Sequence, residues 1–76
     1  MSTAFVLLNC DIGYEKPIID ELLTINGVSY AYKTHGVYDV IIKIKLSSDE
    51  ELRNTIVNIR KIDAIRSSLT LKVIKD

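Results

Sequence analysis

Residues 34–39, Thr-His-Gly-Val-Tyr-Asp, gather the side chains best suited to chemistry in this chain. Gly36 lets the backbone reach positive φ and bares its N–H to anything docked in the bend. Tyr38 and Asp39 set a phenol and a carboxylate beside that backbone, with the His35 imidazole next to it. Far along the chain, Ser68 and Thr70 add two hydroxyls. A small zwitterion such as an amino acid wants this mixture: a carboxylate for its ammonium group, and N–H or O–H donors for its carboxylate. A hairpin turn with an aromatic flank accounts for the turn residues equally well.

Other chemistries find less support. His35 is the only histidine, and no Ser or Cys is tied to it as a nucleophile by a spacing rule. A metal site from Cys10, Asp11 and His35 would need three separated elements to converge, without ligand spacing to suggest it. Cys10 is the single cysteine, which excludes a disulfide within one chain. The three glycines are scattered singly, so no phosphate loop exists. Asp20-Glu21 and Asp49-Glu50-Glu51 read as helix-surface charge. The expectation is a binding module that needs no metal or cofactor and is not an enzyme.

Tyr14, Tyr30, Tyr32 and Tyr38 could stack bases on a sheet, but only Lys33 is interleaved with them, and base-stacking sheets need more cations. Packing at a subunit seam, with the hydroxyls wet, suits these tyrosines better. Ten basic and ten acidic residues cancel, and the pI is about 6.6. Neither nucleic acid nor an anionic membrane is an electrostatically favoured partner. Arg60, Lys61 and Arg66 read as a solvated helix end. Phe5-Val6-Leu7-Leu8 is too short for a signal-peptide core, and nothing approaches the roughly 20 apolar residues of a membrane span. A soluble, cytoplasmic protein is expected.

These residues are positioned by six expected elements. Residues 4–10 are an apolar run of strand length, requiring cover on both faces. Residues 14–25 change to helical period, with Ile18, Leu22 and Ile25 in one stripe and Pro17 in the tolerated first turn. Asn26-Gly27 reads as the helix C-cap. Residues 28–34 alternate, placing Val28, Tyr30 and Tyr32 on one face. After the Gly36 turn, residues 38–46 alternate with Val40, Ile42, Ile44 and Leu46 together and Asp39, Ile41, Lys43 and Lys45 opposite. Either Ser47 or Ser48 opens a second helix through a capping box, and Leu52, Ile56 and Ile59 form its buried stripe. Residues 65–74 form the last strand, with Leu69, Leu71 and Val73 on one face and Ser68, Thr70 and Ile74 on the other.

The order β-α-β-β-α-β repeats in halves. Ile25-Asn26-Gly27-Val28 matches Ile62-Asp63-Ala64-Ile65 at an offset of 37 residues, helix end into strand each time. A right-handed crossover in each half gives an α+β, ferredoxin-like four-stranded antiparallel sheet with both helices on one face. All 76 residues are expected to form a single domain. A domain this small buries roughly 60% of its unfolded surface, yet 47% of the residues are hydrophobic. The surplus predicts a second buried surface. The helix-free sheet face, assigned Ile74, Ile41, alternate residues of the first strand, Ser68 and Thr70, would be covered by a second copy in a dimeric α/β barrel.

Ile25-Asn26-Gly27-Val28, then Gly36-Val37-Tyr38-Asp39-Val40-Ile41-Ile42, then Ile62-Asp63-Ala64-Ile65 with Ser68 and Thr70, resembles the effector (RAM) domain of the Lrp/AsnC family. The resemblance runs over nearly the whole chain, and Gly-x-Tyr-Asp is its most specific part. It implies paired-sheet dimers that associate into octamer- or decamer-like rings, with amino-acid effectors bound where dimers meet. By position it assigns the ligand to Gly36, Tyr38, Asp39, Ser68 and Thr70, with His35 alongside. His35 stands where the family often has a small hydroxyl residue, and Ser68 where it usually has Thr. The family's helix-turn-helix precedes this domain, and here the first strand begins almost at Met1. The resemblance therefore implies a stand-alone module that serves transcription or amino-acid metabolism through full-length regulators, without DNA contact of its own. Alternatives are a structural oligomerisation partner with no ligand, and a small dimeric-barrel enzyme with His35 in an enclosed cavity.

Overall fold

The strand of residues 4–10 has apolar side chains in both alternation sets, so it can only sit inside a sheet covered on two sides. The computed structural model, which describes residues 1–74, puts that strand, β1 (Ser2–Cys10), between two neighbours. The others are α1 (Glu15–Leu22), β2 (Val28–Lys33), β3 (Val40–Leu46), α2 (Asp49–Arg60) and β4 (Ile65–Lys72). The sheet order is β2-β3-β1-β4, antiparallel throughout. This is the ferredoxin-like arrangement, with both helices on one face.

Under the helices, Ala4, Val6 and Leu8 of β1 meet Val40, Ile42, Ile44 and Leu46 of β3, and all are buried. Ile18 and Leu22 of α1 and Leu52, Ile56 and Ile59 of α2 close over them. No polar or charged residue is buried among the described residues. Burying each large aliphatic side chain stabilises the fold by about 1.5–3 kcal/mol.

Local signals set the helix ends. Ser48, extended at φ −141° and ψ 159°, accepts the Glu51 backbone N–H at 3.2 Å and donates to the Glu51 carboxylate. Of the two candidate serines, Ser48 is the cap, and Ser47 also donates to Glu51. Helix α1 is shorter than its periodicity suggested. It stops at Leu22, and the N–H groups of Thr24 and Ile25 turn to the carbonyls three residues back. Thr24 also bonds the Glu21 carbonyl through its hydroxyl, which competes with helix continuation.

Two face assignments differ from the alternation. In β2 the register shifts between Val28, opposite Ile44, and Tyr30, opposite Lys43. This bulge at Ser29 turns Val28 toward the helices and sends Tyr30 and Tyr32 to the helix-free face, where their rings stack at 4.9 Å. In β4, Thr70 lies opposite Val6 and Ser68 opposite Leu8. Because Val6 and Leu8 point at the helices, so do Ser68 and Thr70. Leu69 and Leu71 take the helix-free face instead. The strand also ends at Lys72, and Ile74 lies beyond it, 86% exposed.

The helix-free face therefore carries Phe5, Leu7, Tyr30, Tyr32, Ile41, Leu69 and Leu71. Its apolar content is as the composition required, but leucines stand where hydroxyls were expected. Lys43 lies over the Phe5 ring at 6.0 Å.

Candidate functional site

The turn between β2 and β3 is pinned at both ends. Thr34 donates its N–H to the Asp39 carbonyl at 2.8 Å and its hydroxyl to the Tyr38 carbonyl at 2.7 Å. Asp39 donates its N–H to the Leu8 carbonyl at 2.8 Å, and its Oδ2 accepts the Cys10 N–H at 3.0 Å. The loop is thereby tied to the end of β1, with Asp39 and Tyr38 half-buried. Between these anchors His35, Gly36 and Val37 stand exposed, Val37 at 81%. Gly36 has φ +119°, and a Cβ placed there would meet nothing within 4 Å. A rigid frame thus presents bare backbone beside a carboxylate whose other oxygen has no partner among the described residues.

Cys10 is not an activated thiol. Burial pushes its thiol above the usual value, and the Glu15, Asp39 and Asp11 carboxylates push it further, in that order. A thiol held protonated is a poor nucleophile and a poor metal ligand. Among the described residues no cluster of His, Cys, Asp and Glu could hold a metal ion. His35 is exposed at the turn instead of lining an enclosed cavity.

Ser68 and Thr70 belong to a second cluster. Arg60, at the end of α2, donates Nε–H to Ser68 Oγ at 3.1 Å and Nη2–H to Thr70 Oγ1 at 3.2 Å. Both hydroxyls face the helix layer, on the margin between α2 and β4. The structure does not bring the two predicted groups together within one chain. Val40 and Ser68 both flank Leu8 of β1, from opposite sides. With β1 between them, the turn and the hydroxyl pair are about 10 Å apart at their nearest. Gly36, Tyr38, Asp39 and His35 form one group, Ser68 and Thr70 another.

Arg60 is the residue that sequence reasoning missed, having been read as helix-end charge. Its spacing to Ser68 follows no local rule, but Arg53, Val57 and Arg60 recur at the helical period beside the buried stripe. That shoulder was visible in the sequence; what it overhangs was not.

A model of the Lrp/AsnC ligand binding domain matches residues 3–76. The chain belongs to the Lrp/AsnC family. Among Lrp/AsnC-like structures it is similar to the hypothetical protein PHS023 from Pyrococcus horikoshii, with a TM-score of 0.93 and 32% identity, covering 100% of this chain and 93% of that one. It is 28% identical over 72 residues to the HTH-type transcriptional regulator FL11 from Pyrococcus furiosus, spanning 95% of this chain and 48% of the regulator. It is also 33% identical over 73 residues to a homocitrate synthase from Saccharolobus islandicus, spanning 95% of this chain but 16% of the enzyme. The chain thus spans only part of the length of each of these curated relatives. No helix among the described residues is long and apolar enough to cross a membrane. A ligand-binding module of regulatory type, with a ferredoxin-like fold, agrees with the sequence reading at that level.

Proposed function

We propose that residues 1–76 are one effector-binding, self-assembling regulatory domain that takes an amino acid and has no catalytic activity or cofactor of its own. The observation that carries this reading is the turn: exposed backbone at Gly36 held against the half-buried Asp39 carboxylate by bonds to β1. Asp39 pairs the ammonium group, and Gly36 offers its N–H. Tyr38 flanks the ligand, His35 neighbours it, and Ser68 and Thr70 come from another copy.

Two copies pair through the helix-free face, where Leu69 and Leu71 are 42% and 51% exposed in one chain, and dimers then associate into an octameric or decameric ring. An apolar surface of this extent is characteristic of an interface. Both described helices are committed to covering the sheet. DNA reading must therefore come from elsewhere, such as full-length regulators with which this domain co-assembles in the cytoplasm. The likeness to part of an enzyme makes a metabolic enzyme an equally natural client.

A screen of the standard amino acids by thermal shift tests this. Ligand at 100 times its dissociation constant adds about 2.7 kcal/mol to the folded state, so an effector raises Tm visibly. Absence of any shift at millimolar concentration would overturn the reading.

The bond from Cys10 N–H to Asp39 favours a second reading, in which Asp39 is only a strut and the domain is a structural oligomerisation partner. Asp39→Asn separates the two, because an amide oxygen still accepts the Cys10 N–H while the charge is lost. A sensor loses its ligand response and keeps its mass in solution; a strut is unaffected. Asp39→Ala, which removes both, alters the turn under either reading.

A further inference from the structure

Along the margin where α2 overhangs β4 runs a groove of about 250 Å³. Ala4, Leu52 and Ile56 contribute to its apolar lining, and the cations Arg53, Arg60 and Lys72 surround it, with Asp49 as its one acid. In a chain whose charges cancel, this is a local excess of positive charge. Lys72 Nζ meets Asp49 at 2.9 Å, and Ser2 donates its hydroxyl to the same carboxylate. Arg53 acts on Asp49 only as a weaker, more distant charge. Neither Arg53 nor Arg60 forms an ion pair among the described residues.

The polarity of the Arg60 cluster is one-sided. Ser68 and Thr70 use their oxygens to accept from Arg60, so their hydroxyl hydrogens turn toward other partners. Arg60 keeps further N–H groups of its planar fork. Guanidinium and two hydroxyls together are therefore rich in donors, the complement of a carboxylate, and the fixed positive charge disfavours an ammonium group. Arg53 lies seven residues before Arg60 on the same shoulder, about 10 Å along the helix axis. Both side chains are long enough to close on one small ligand above Val57. The apolar floor lowers the local dielectric and strengthens these attractions.

We infer that the groove between α2 and β4 binds the carboxylates of a small dicarboxylate, so that the effector is an acidic amino acid. Arg60, with Ser68 and Thr70, holds one carboxylate, and Arg53 holds the other. This rests on the reading that Ser68 and Thr70 belong to the effector site, with the ammonium group left to Asp39 of a neighbouring copy.

Isothermal titration of the full chain with aspartate and glutamate, set against asparagine, glutamine and inorganic phosphate, tests it. The acidic amino acids should bind about tenfold or more tightly than their amides. Arg60→Gln should weaken all amino-acid binding by about tenfold or more. Arg53→Gln should reduce the acid-over-amide preference to about threefold or less. Equal binding of acids and amides, unaffected by either variant, overturns this inference and leaves the effector reading standing. Binding of none of these four overturns this inference, and the effector reading falls with it only when the screen of all the standard amino acids also finds no ligand. Phosphate binding as tightly as the acids, with the same Arg60 dependence, reduces the groove to a general anion site and overturns the dicarboxylate assignment. A changed mass of Arg60→Gln in solution with its binding of acids and amides unaltered assigns the groove to subunit docking and equally overturns it.

Discussion

The two helix-to-strand junctions solve one problem with different residues. Gly27, between α1 and β2, has φ +95°, and Ala64, between α2 and β4, has φ +76°. Each passes its carbonyl toward the partner of the strand it opens: Gly27 accepts the Lys45 N–H of β3 at 2.8 Å, and Ala64 accepts the N–H of Asp11, just past the end of β1, at 2.9 Å. The backbone requirement is thus the same in both halves, a left-handed residue that aims one carbonyl at a neighbouring strand. The difference lies in the surroundings. A Cβ at Gly27 would stand 2.5 Å from Leu46 Cδ2. Leu46 is a core residue, so it has little room to move, whereas Ala64 carries its Cβ while packed at the edge of the core. Conformation makes glycine convenient at both places, and packing makes it necessary at one.

Substitution at these two positions sharpens the contrast. Gly27→Ala combines backbone strain with overpacking against Leu46, and should destabilise the fold by about 2–4 kcal/mol. Chemical denaturation measures this, and a loss below what strain alone predicts would mean that Leu46 repacks freely. Ala64→Gly should change stability by about 1 kcal/mol or less, in the stabilising direction. Relief of left-handed strain there outweighs the added freedom of the unfolded chain. A clear loss on Ala64→Gly would show that the methyl group contributes packing that outweighs its strain.

The halves also differ in what fastens their edge strands, and this yields the smallest expected effect. On β4, Arg66 grips Asp11 at 2.6 Å and Lys72 meets Asp49 at 2.9 Å. No ion pair fastens β2 among the described residues. The Arg66 bond lowers the Asp11 pKa, and the Ser2 and Lys72 bonds lower that of Asp49. A carboxyl whose folded pKa is depressed adds stability that is fully present above its unfolded value of about 4 and is lost as pH falls through the folded value. Acid titration below about pH 4 should therefore loosen β4 before β2, and hydrogen exchange resolved by strand reads the order. Salt should shrink the difference, since both pairs are exposed.

The site was legible in pieces. Gly36, Tyr38 and Asp39 could be found because a glycine turn between two alternating runs announces itself, and the anchoring of Asp39 to Cys10 concerns atoms 29 residues apart. Ser68 and Thr70 could be singled out as hydroxyls in a strand, but their company could not. Arg60 became part of the picture only when the turn of α2 above β4 was known.

By itself the sequence determined the order of the six elements, the buried stripes of β3 and α2, a serine cap on α2 narrowed to Ser47 or Ser48, and the matched junctions of the two halves. Each is a local matter of period, capping or backbone conformation. Tertiary structure alone decided which way the edge strands face. Alternation divides a strand into two sets, but it names the core side only when one set is polar. In β4 the leucines and the hydroxyl residues could each have faced the helices, because the helix-free face is apolar too. In β2 a single bulge reversed the count. The register against β3 settled β2, and the register against β1 settled β4 and with it placed Ser68 and Thr70 beneath Arg60.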